Sequence, residues 1–108
     1  MNRLSRKEPV ALDLLMKYWI ISEGLGPSYN SYRIRKAWGQ VSGMEKYTGH
    51  TFFKDGLLYV YLTSSVARQS LKARLQSLNA RLNEALQEDE KFIKGYKFSR
   101  YVDQIILR

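Results

Sequence analysis

A two-residue turn signal, Asp55-Gly56, constrains the fold of this chain more than any other feature. It separates two stretches of strand-forming residues, Gly49 to Lys54 and Leu57 to Thr63. Glycine tolerates the positive φ that a tight primed turn needs, so an Asp-Gly pair between such stretches predicts a β-hairpin. The chain is therefore expected to contain a sheet built around this hairpin.

Alternation along the second strand predicts that its two faces have different environments, since successive side chains of a strand point to opposite sides. The face formed by Leu58, Val60 and Leu62 is expected to pack against helices. The opposite face is aromatic and amphipathic, so it is expected to be partly exposed or covered by another element. Its residues are Leu57, Tyr59, Tyr61 and Thr63.

Apolar residues at helical spacing predict three helices around the hairpin. The first covers Glu8 to Glu23, the second Ser28 to about Val41, and the third about Val66 to Gln87. The charged segment Glu88 to Arg100 is interpreted as a mobile connection with a short strand at Phe92 to Phe98. The β-branched run Val102 to Leu107 is expected to close the sheet.

Local signals mark the ends of these helices. Ser28 or Asn30 can cap the second helix, Gly43 ends it, and Ser64-Ser65 caps the third helix. The third helix carries a leucine stripe that is expected to be buried against the hairpin rather than to form a coiled-coil seam. The stripe consists of Leu71, Leu75, Leu78, Leu82 and Leu86.

These elements predict an α+β fold in the order helix, helix, strand, strand, helix, strand, with a three-stranded sheet against helices. A chain of 108 residues with 44% apolar residues suits one small domain. We divide it into an N-terminal helix and linker, residues 1–27, and a domain of residues 28–108.

The sequence argues against an enzyme and against a membrane protein. It contains no cysteine, no nucleophile–base pair and no phosphate-binding glycine loop, and we expect no cofactor, metal or small-molecule substrate. The single histidine, His50, is expected to be structural. No apolar run reaches the roughly 20 residues that span a bilayer, and we interpret the chain as cytoplasmic.

Charge points instead to a polyanionic partner, because 18 Lys and Arg residues outnumber 10 Asp and Glu residues for a net charge of +8. The third helix holds basic residues and no acid between Ser64 and Asn83. Arg68 and Lys72 fall on one flank of the leucine stripe, and Arg74 and Arg81 on the other. The residues predicted to bind DNA are Arg68, Lys72, Arg74, Arg81, Arg33, Arg35, Lys36 and Lys54.

Several of these side chains are equally compatible with a structural role. Long basic side chains cover the edges of an apolar stripe without binding anything. Asn79 and Asn83 lie on the Arg68 flank, where they can donate hydrogen bonds to phosphate. Three aromatic residues are candidates either for partner binding or for the core, and the two tyrosines among them can also stack on unpaired bases. They are Trp38, Tyr59 and Tyr61.

Five motifs of this chain resemble the DciA family of bacterial proteins, which are linked to loading or operating the replicative helicase. The similarity covers roughly residues 28–108, and its most specific part is the hairpin with the Ser-Ser step. The short form looks like the version found in Bacteroidetes-type bacteria. The motifs are AWGQVSG at 37–43, YTGHT at 47–51, KDGLLYVYLTSSVARQSL at 54–71, SLNARLN at 77–83 and VDQIILR at 102–108.

The resemblance implies a KH-like domain, binding to single-stranded or forked DNA, and contact with a DnaB-type helicase. The segment EDEKFIKGYKFSR at 88–100 looks like an insertion relative to that family. No GXXG loop is present, so the ordinary KH mode of gripping nucleic acid is not expected. The alternatives are a protein-interaction module without nucleic-acid binding and an RNA-binding KH-like protein.

Overall fold

The computed structural model describes residues 14–108 and confirms the predicted α+β class. Residues 14–22 are helical, whereas the predicted start of that helix at Glu8 lies outside the described residues. A short 3-10 helix, Glu45–Tyr47, precedes the sheet. The main elements are α1 (Gly26–Ser42), β1 (Thr48–Lys54), β2 (Leu57–Leu62), α2 (Ser65–Lys72), α3 (Leu75–Glu88) and β3 (Gln104–Leu107).

The predicted hairpin is the centre of a three-stranded sheet in the order β1-β2-β3. Asp55 and Gly56 have φ values of 53° and 82°, as a primed two-residue turn requires. β1 pairs with β2 antiparallel, and β2 pairs with β3 parallel. The closing strand, β3, is shorter than the predicted run from Val102 to Leu107. A parallel pair of strands needs a crossover connection, and the helices α2 and α3 form part of it.

The prediction of one continuous third helix is wrong, because the helix breaks between α2 and α3. Arg74 leaves helical geometry with φ −125° and ψ 28°. α2 packs against β2, whereas α3 packs against α1 and β3, and a straight helix cannot follow both surfaces. The predicted cap is confirmed, since the Ser64 hydroxyl accepts a hydrogen bond from the Ala67 N–H at 3.2 Å.

α1 begins two residues before the predicted start, and neither predicted residue caps it. Leu25 occupies the N-cap position without a side-chain hydrogen bond, and Pro27 lies in the first turn, where its missing N–H costs nothing. Asn30 is instead 3% exposed within the helix. The predicted end is confirmed, because Gly43 is the left-handed C-cap with φ 68°.

The connection between α3 and β3 contains no strand, contrary to the prediction for Phe92 to Phe98. Phe92 and Ile93 are 1% and 2% exposed, so the segment contributes to the core. Asn30 binds both backbone groups of Ile93: its Nδ2 donates to the carbonyl and its Oδ1 accepts from the N–H, each at 2.9 Å. A side-chain amide thus supplies the pairing that a neighbouring strand would otherwise give.

The core lies between the inner face of the sheet and the helices, as the alternation predicts. Leu58 and Val60 are fully buried. None of the helices in the described part of the chain is long and apolar enough to cross a membrane. The buried cluster consists of Ile34, Ala37, Trp38, Leu58, Val60, Leu71, Leu78, Leu82, Leu86, Phe92, Val102 and Ile105.

Candidate nucleic-acid interface

The side of the sheet that faces away from the helices is open and aromatic. Strand pairing places Phe52 beside Tyr59 and His50 beside Tyr61, and paired residues share a face of the sheet. Phe52 is 50% exposed and Tyr61 is 43% exposed, in contrast to the buried Leu58 on the inner face. We call this surface the outer sheet face; its residues are His50, Phe52, Lys54, Leu57, Tyr59, Tyr61, Gln104, Ile106 and Arg108.

The aromatic rings of this face form two neighbouring cross-strand pairs. The ring centres of Phe52 and Tyr59 are 6.1 Å apart, and those of His50 and Tyr61 are 5.6 Å apart. Both pairs are tilted rather than stacked, and the exposure of Phe52 and Tyr61 leaves ring surface available to a ligand. A depression of about 370 Å³ lies between Phe52, Tyr59, Tyr61 and the hairpin end.

Cationic side chains lie at both ends of the outer sheet face. Lys54 is exposed at the hairpin end, next to the turn residue Asp55. At the other end, the guanidinium of Arg108 lies 5.9 Å from the centre of the Tyr59 ring. Arg68 reaches the same end from α2, with its Nη1 3.5 Å from the Arg108 carbonyl oxygen. The face therefore combines flat apolar rings with positive charge at either side.

Of the residues predicted from sequence, the structure brings four to this side of the molecule. Lys54, Tyr59 and Tyr61 lie on the outer sheet face, and Arg68 borders it at the end of β3. Lys72 is exposed one helical turn beyond Arg68 on the same flank of α2.

The other predicted cations lie on the helical layer or at its border with β1. Lys36 lines a groove between α1 and α3 together with Glu88 and Asp89. Arg74 Nη2 lies 3.5 Å from the Ser42 carbonyl oxygen at the end of α1. Arg81 is exposed on α3, and Arg35 is exposed beside β1. Of these residues, Arg35 lies nearest the outer sheet face, because it lines a depression together with His50; Lys36, Arg74 and Arg81 lie on the helical layer.

Arg33 is bound by a carboxylate of the same chain. Its Nε donates to Asp89 Oδ2 at 2.8 Å, and both side chains are less than one-fifth exposed. The hydrogen bond to Asp89 raises the pKa of Arg33. Burial raises the pKa of Asp89, but hydrogen bonds from Arg33 and the Lys91 N–H outweigh it and hold the pKa below its ordinary value. Arg33 therefore forms an ion pair within the fold, and its charge is balanced by Asp89.

Trp38 and the two asparagines of α3 also have structural roles; for Trp38 this is the core position that the sequence left open beside partner binding. Trp38 is 1% exposed, and its Nε1 donates to the Thr48 hydroxyl at 3.1 Å, so it cannot contact a partner. Asn79 and Asn83 both donate to the Val102 carbonyl, at 3.1 Å and 2.8 Å. Neither asparagine donor points to solvent, as phosphate binding would require.

Phe52, Arg108 and the exposed position of His50 were not predicted from the sequence. The signal for Phe52 was present, because a two-residue turn at Asp55-Gly56 places Phe52 opposite Tyr59. Arg108 joins the face only through the parallel pairing of β3 with β2, which the sequence alone does not fix.

Comparison with protein-family models, with curated proteins and with solved structures found no match.

Among residues 14–108, no group of three or more His, Asp or Glu side chains could hold a metal ion.

Proposed function

We propose that this protein is a non-enzymatic factor that binds single-stranded DNA on the outer sheet face. The observation that carries the proposal is the solvent exposure of Phe52 and Tyr61, at 50% and 43%, beside flanking cations. Aromatic rings on an open sheet stack on unpaired bases, and neighbouring Lys and Arg residues neutralise the phosphates.

The size of the face suits a short run of nucleotides. From Leu57 to Tyr61 the second strand spans about 13 Å, at roughly 3.3 Å per residue. That length accommodates two or three stacked bases, as on the aromatic sheet of an RNA-recognition domain. Lys54 at one end and Arg68 with Arg108 at the other then lie where the backbone of the strand enters and leaves.

The resemblance to the DciA family supplies the biological setting of the proposal. In that setting, the protein holds single-stranded or forked DNA while a DnaB-type replicative helicase is loaded or operated. A pull-down of the helicase with and without nuclease tests this part separately. Retention that survives nuclease supports a direct protein contact, whereas loss after nuclease treatment shows that DNA alone bridged the two proteins.

Binding of fluorescent oligonucleotides, followed by anisotropy, tests the DNA proposal. We expect a single strand to bind more tightly than the corresponding duplex, since stacking needs unpaired bases. Tyr61→Ala should weaken binding by roughly 5- to 150-fold, since one stacked base is worth about 1–3 kcal/mol. Tyr96→Ala is the matched control, because Tyr96 is equally exposed, at 45%, but lies in the connection before β3.

Two results would exclude parts of the proposal. If Tyr61→Ala and Tyr96→Ala lower the affinity for the oligonucleotide equally, the outer sheet face is not the binding surface. Absence of binding at moderate salt would favour the protein-interaction alternative, and tighter binding of RNA than of DNA of equal length would favour the RNA-binding alternative.

A further inference from the structure

The helical segment 14–22 exposes large apolar side chains instead of burying them. Five of its large apolar residues are exposed, at values between 50% and 65%. Ile20, at 7%, is the buried residue of this segment. The exposed residues are Leu14, Leu15, Met16, Tyr18 and Trp19.

Four of the exposed residues form a continuous surface on one side of the helix, and Met16 lies outside it. At about 100° per residue, Leu14, Tyr18, Leu15 and Trp19 cover an arc of roughly 140°. Ile20 falls outside this arc, towards the domain. A surface helix ordinarily buries its broad apolar stripe and exposes a polar face. Here the broad stripe points outward, which indicates that another surface covers it.

The end of this helix is joined to α1 by a hydrogen-bonded turn. Gly24 has φ 73°, its N–H donates to Ile21 O at 3.0 Å, and the Leu25 N–H donates to Ile20 O at 2.9 Å. These two bonds are those of a Schellman motif. The motif defines how the chain leaves the helix, and within this geometry the apolar arc faces solvent.

We propose that a second copy of this chain covers the apolar arc, so that two such helices pack in a symmetric dimer. Large side chains bury roughly 150–250 Å² each, and the four in the arc, which are half or more exposed, offer on the order of 450 Å² per copy. Two copies then bury about 900 Å², the size of a weak, reversible interface.

The chemistry of the arc favours self-association over a charged partner. None of its described residues is ionisable at neutral pH: besides Leu14, Leu15, Tyr18 and Trp19, it holds only Ser22. An uncharged apolar stripe is complementary to itself, and a two-fold axis brings the same patch of both copies together. This dimer does not depend on nucleic-acid binding, because the arc and the outer sheet face share no residue.

Sedimentation equilibrium of the full chain over a wide concentration range tests the dimer. The protein is first freed of nucleic acid with nuclease and high salt, so that bridging cannot imitate self-association. We expect a mass that rises from 12.7 kDa to twice that value. The variant Leu15→Glu with Trp19→Glu should weaken the dimer about a hundredfold or more, because two large apolar contacts are lost and charge is placed in the interface.

Val66→Glu is the matched control, since Val66 is an exposed apolar residue, at 78%, on α2. It should dimerise like the unmodified protein, and thermal unfolding of all variants checks that they are folded. A protein that stays monomeric at every concentration would overturn the proposal. The same holds if the double variant dimerises as well as the unmodified chain.

Discussion

Arg108 extends its guanidinium over the ring of Tyr59, with 5.9 Å between the guanidinium carbon and the ring centre. The two residues are far apart in sequence and meet because β3 pairs in parallel with β2, which places Arg108 beyond Ile106 on the outer sheet face. A cation over an exposed ring contributes only about 0.5–1 kcal/mol to stability. Its greater consequence is a positive charge held beside a stacking surface.

Arg108→Gln tests whether that charge contacts phosphate. We expect weaker binding of single-stranded DNA, with the slope of log affinity against log salt smaller by about 0.7, the value for one phosphate contact. Lys36→Gln is the control, because Lys36 is also exposed but lies between α1 and α3 near Glu88. A salt slope that is unchanged in Arg108→Gln would show that this arginine contacts no phosphate.

Asp89→Asn tests the ion pair with Arg33. The loss of a charge-assisted hydrogen bond should lower the free energy of unfolding by about 1–3 kcal/mol at neutral pH. Urea denaturation measures this change. Glu88→Gln, at the exposed neighbouring position, should change stability by less than about 0.5 kcal/mol. Equal effects of the two substitutions would contradict the assigned role of the pair.

The same pair predicts a direction of pH dependence. Folding lowers the pKa of Asp89 from its ordinary value of 3.8, so the unfolded chain binds the proton more readily. The ion pair therefore contributes its full stabilisation at pH values above the ordinary pKa of Asp89. This stabilisation is lost as the pH falls through the lower pKa of Asp89 in the folded state. The free energies of unfolding of Asp89→Asn and of the unmodified chain should differ at pH 7 and become equal as the pH falls into the acid range. A difference that grows in acid would contradict the assignment.

Asn83→Ala tests the attachment of the connection before β3. Asn83 binds both backbone groups of Val102, donating to its carbonyl at 2.8 Å and accepting from its N–H at 2.9 Å. Val102 is 1% exposed, so its N–H finds no water when the asparagine is removed. We expect a loss of about 1–3 kcal/mol in urea denaturation. Gln87→Ala, exposed on the same helix, should be nearly neutral, and comparable losses would argue against the attachment.

Gly56→Ala compared with Gly95→Ala separates crowding from backbone strain. Both glycines have positive φ, 82° and 87°, which costs a residue with a Cβ about 1–2 kcal/mol. A Cβ at Gly56 would also meet the Asp103 carboxylate, whereas one at Gly95 meets nothing within 4 Å. Thermal unfolding should therefore show the larger loss for Gly56→Ala. Equal losses would mean that the Asp103 side chain moves away freely.

The hairpin and its two faces were predictable because their causes are local. An Asp-Gly turn fixes the register, and alternation then assigns Leu58 and Val60 to the core and Tyr59 and Tyr61 to the opposite face. The turn at Gly43 and the cap at Ser64 follow from the same kind of short-range chemistry.

The remaining features depend on residues distant in sequence. Arg33 and Asp89 are 56 positions apart, so charge counting could not show that one neutralises the other. The helix break at Ala73 and Arg74 contains neither glycine nor proline; it follows from packing against two different surfaces. On a helical wheel the side-chain amide of Asn83 was a candidate donor of a hydrogen bond to phosphate, but in the structure it donates to the backbone carbonyl of Val102.

Chemical-shift mapping of the labelled protein with a single-stranded oligonucleotide tests the central claim most directly. We predict that the largest shifts of backbone amides fall on the outer sheet face, at Phe52, Tyr59 and Tyr61, with further shifts at Arg68 and Arg108. Shifts confined to the helical layer around Lys36 and Arg81, with the sheet unchanged, would contradict binding on that face.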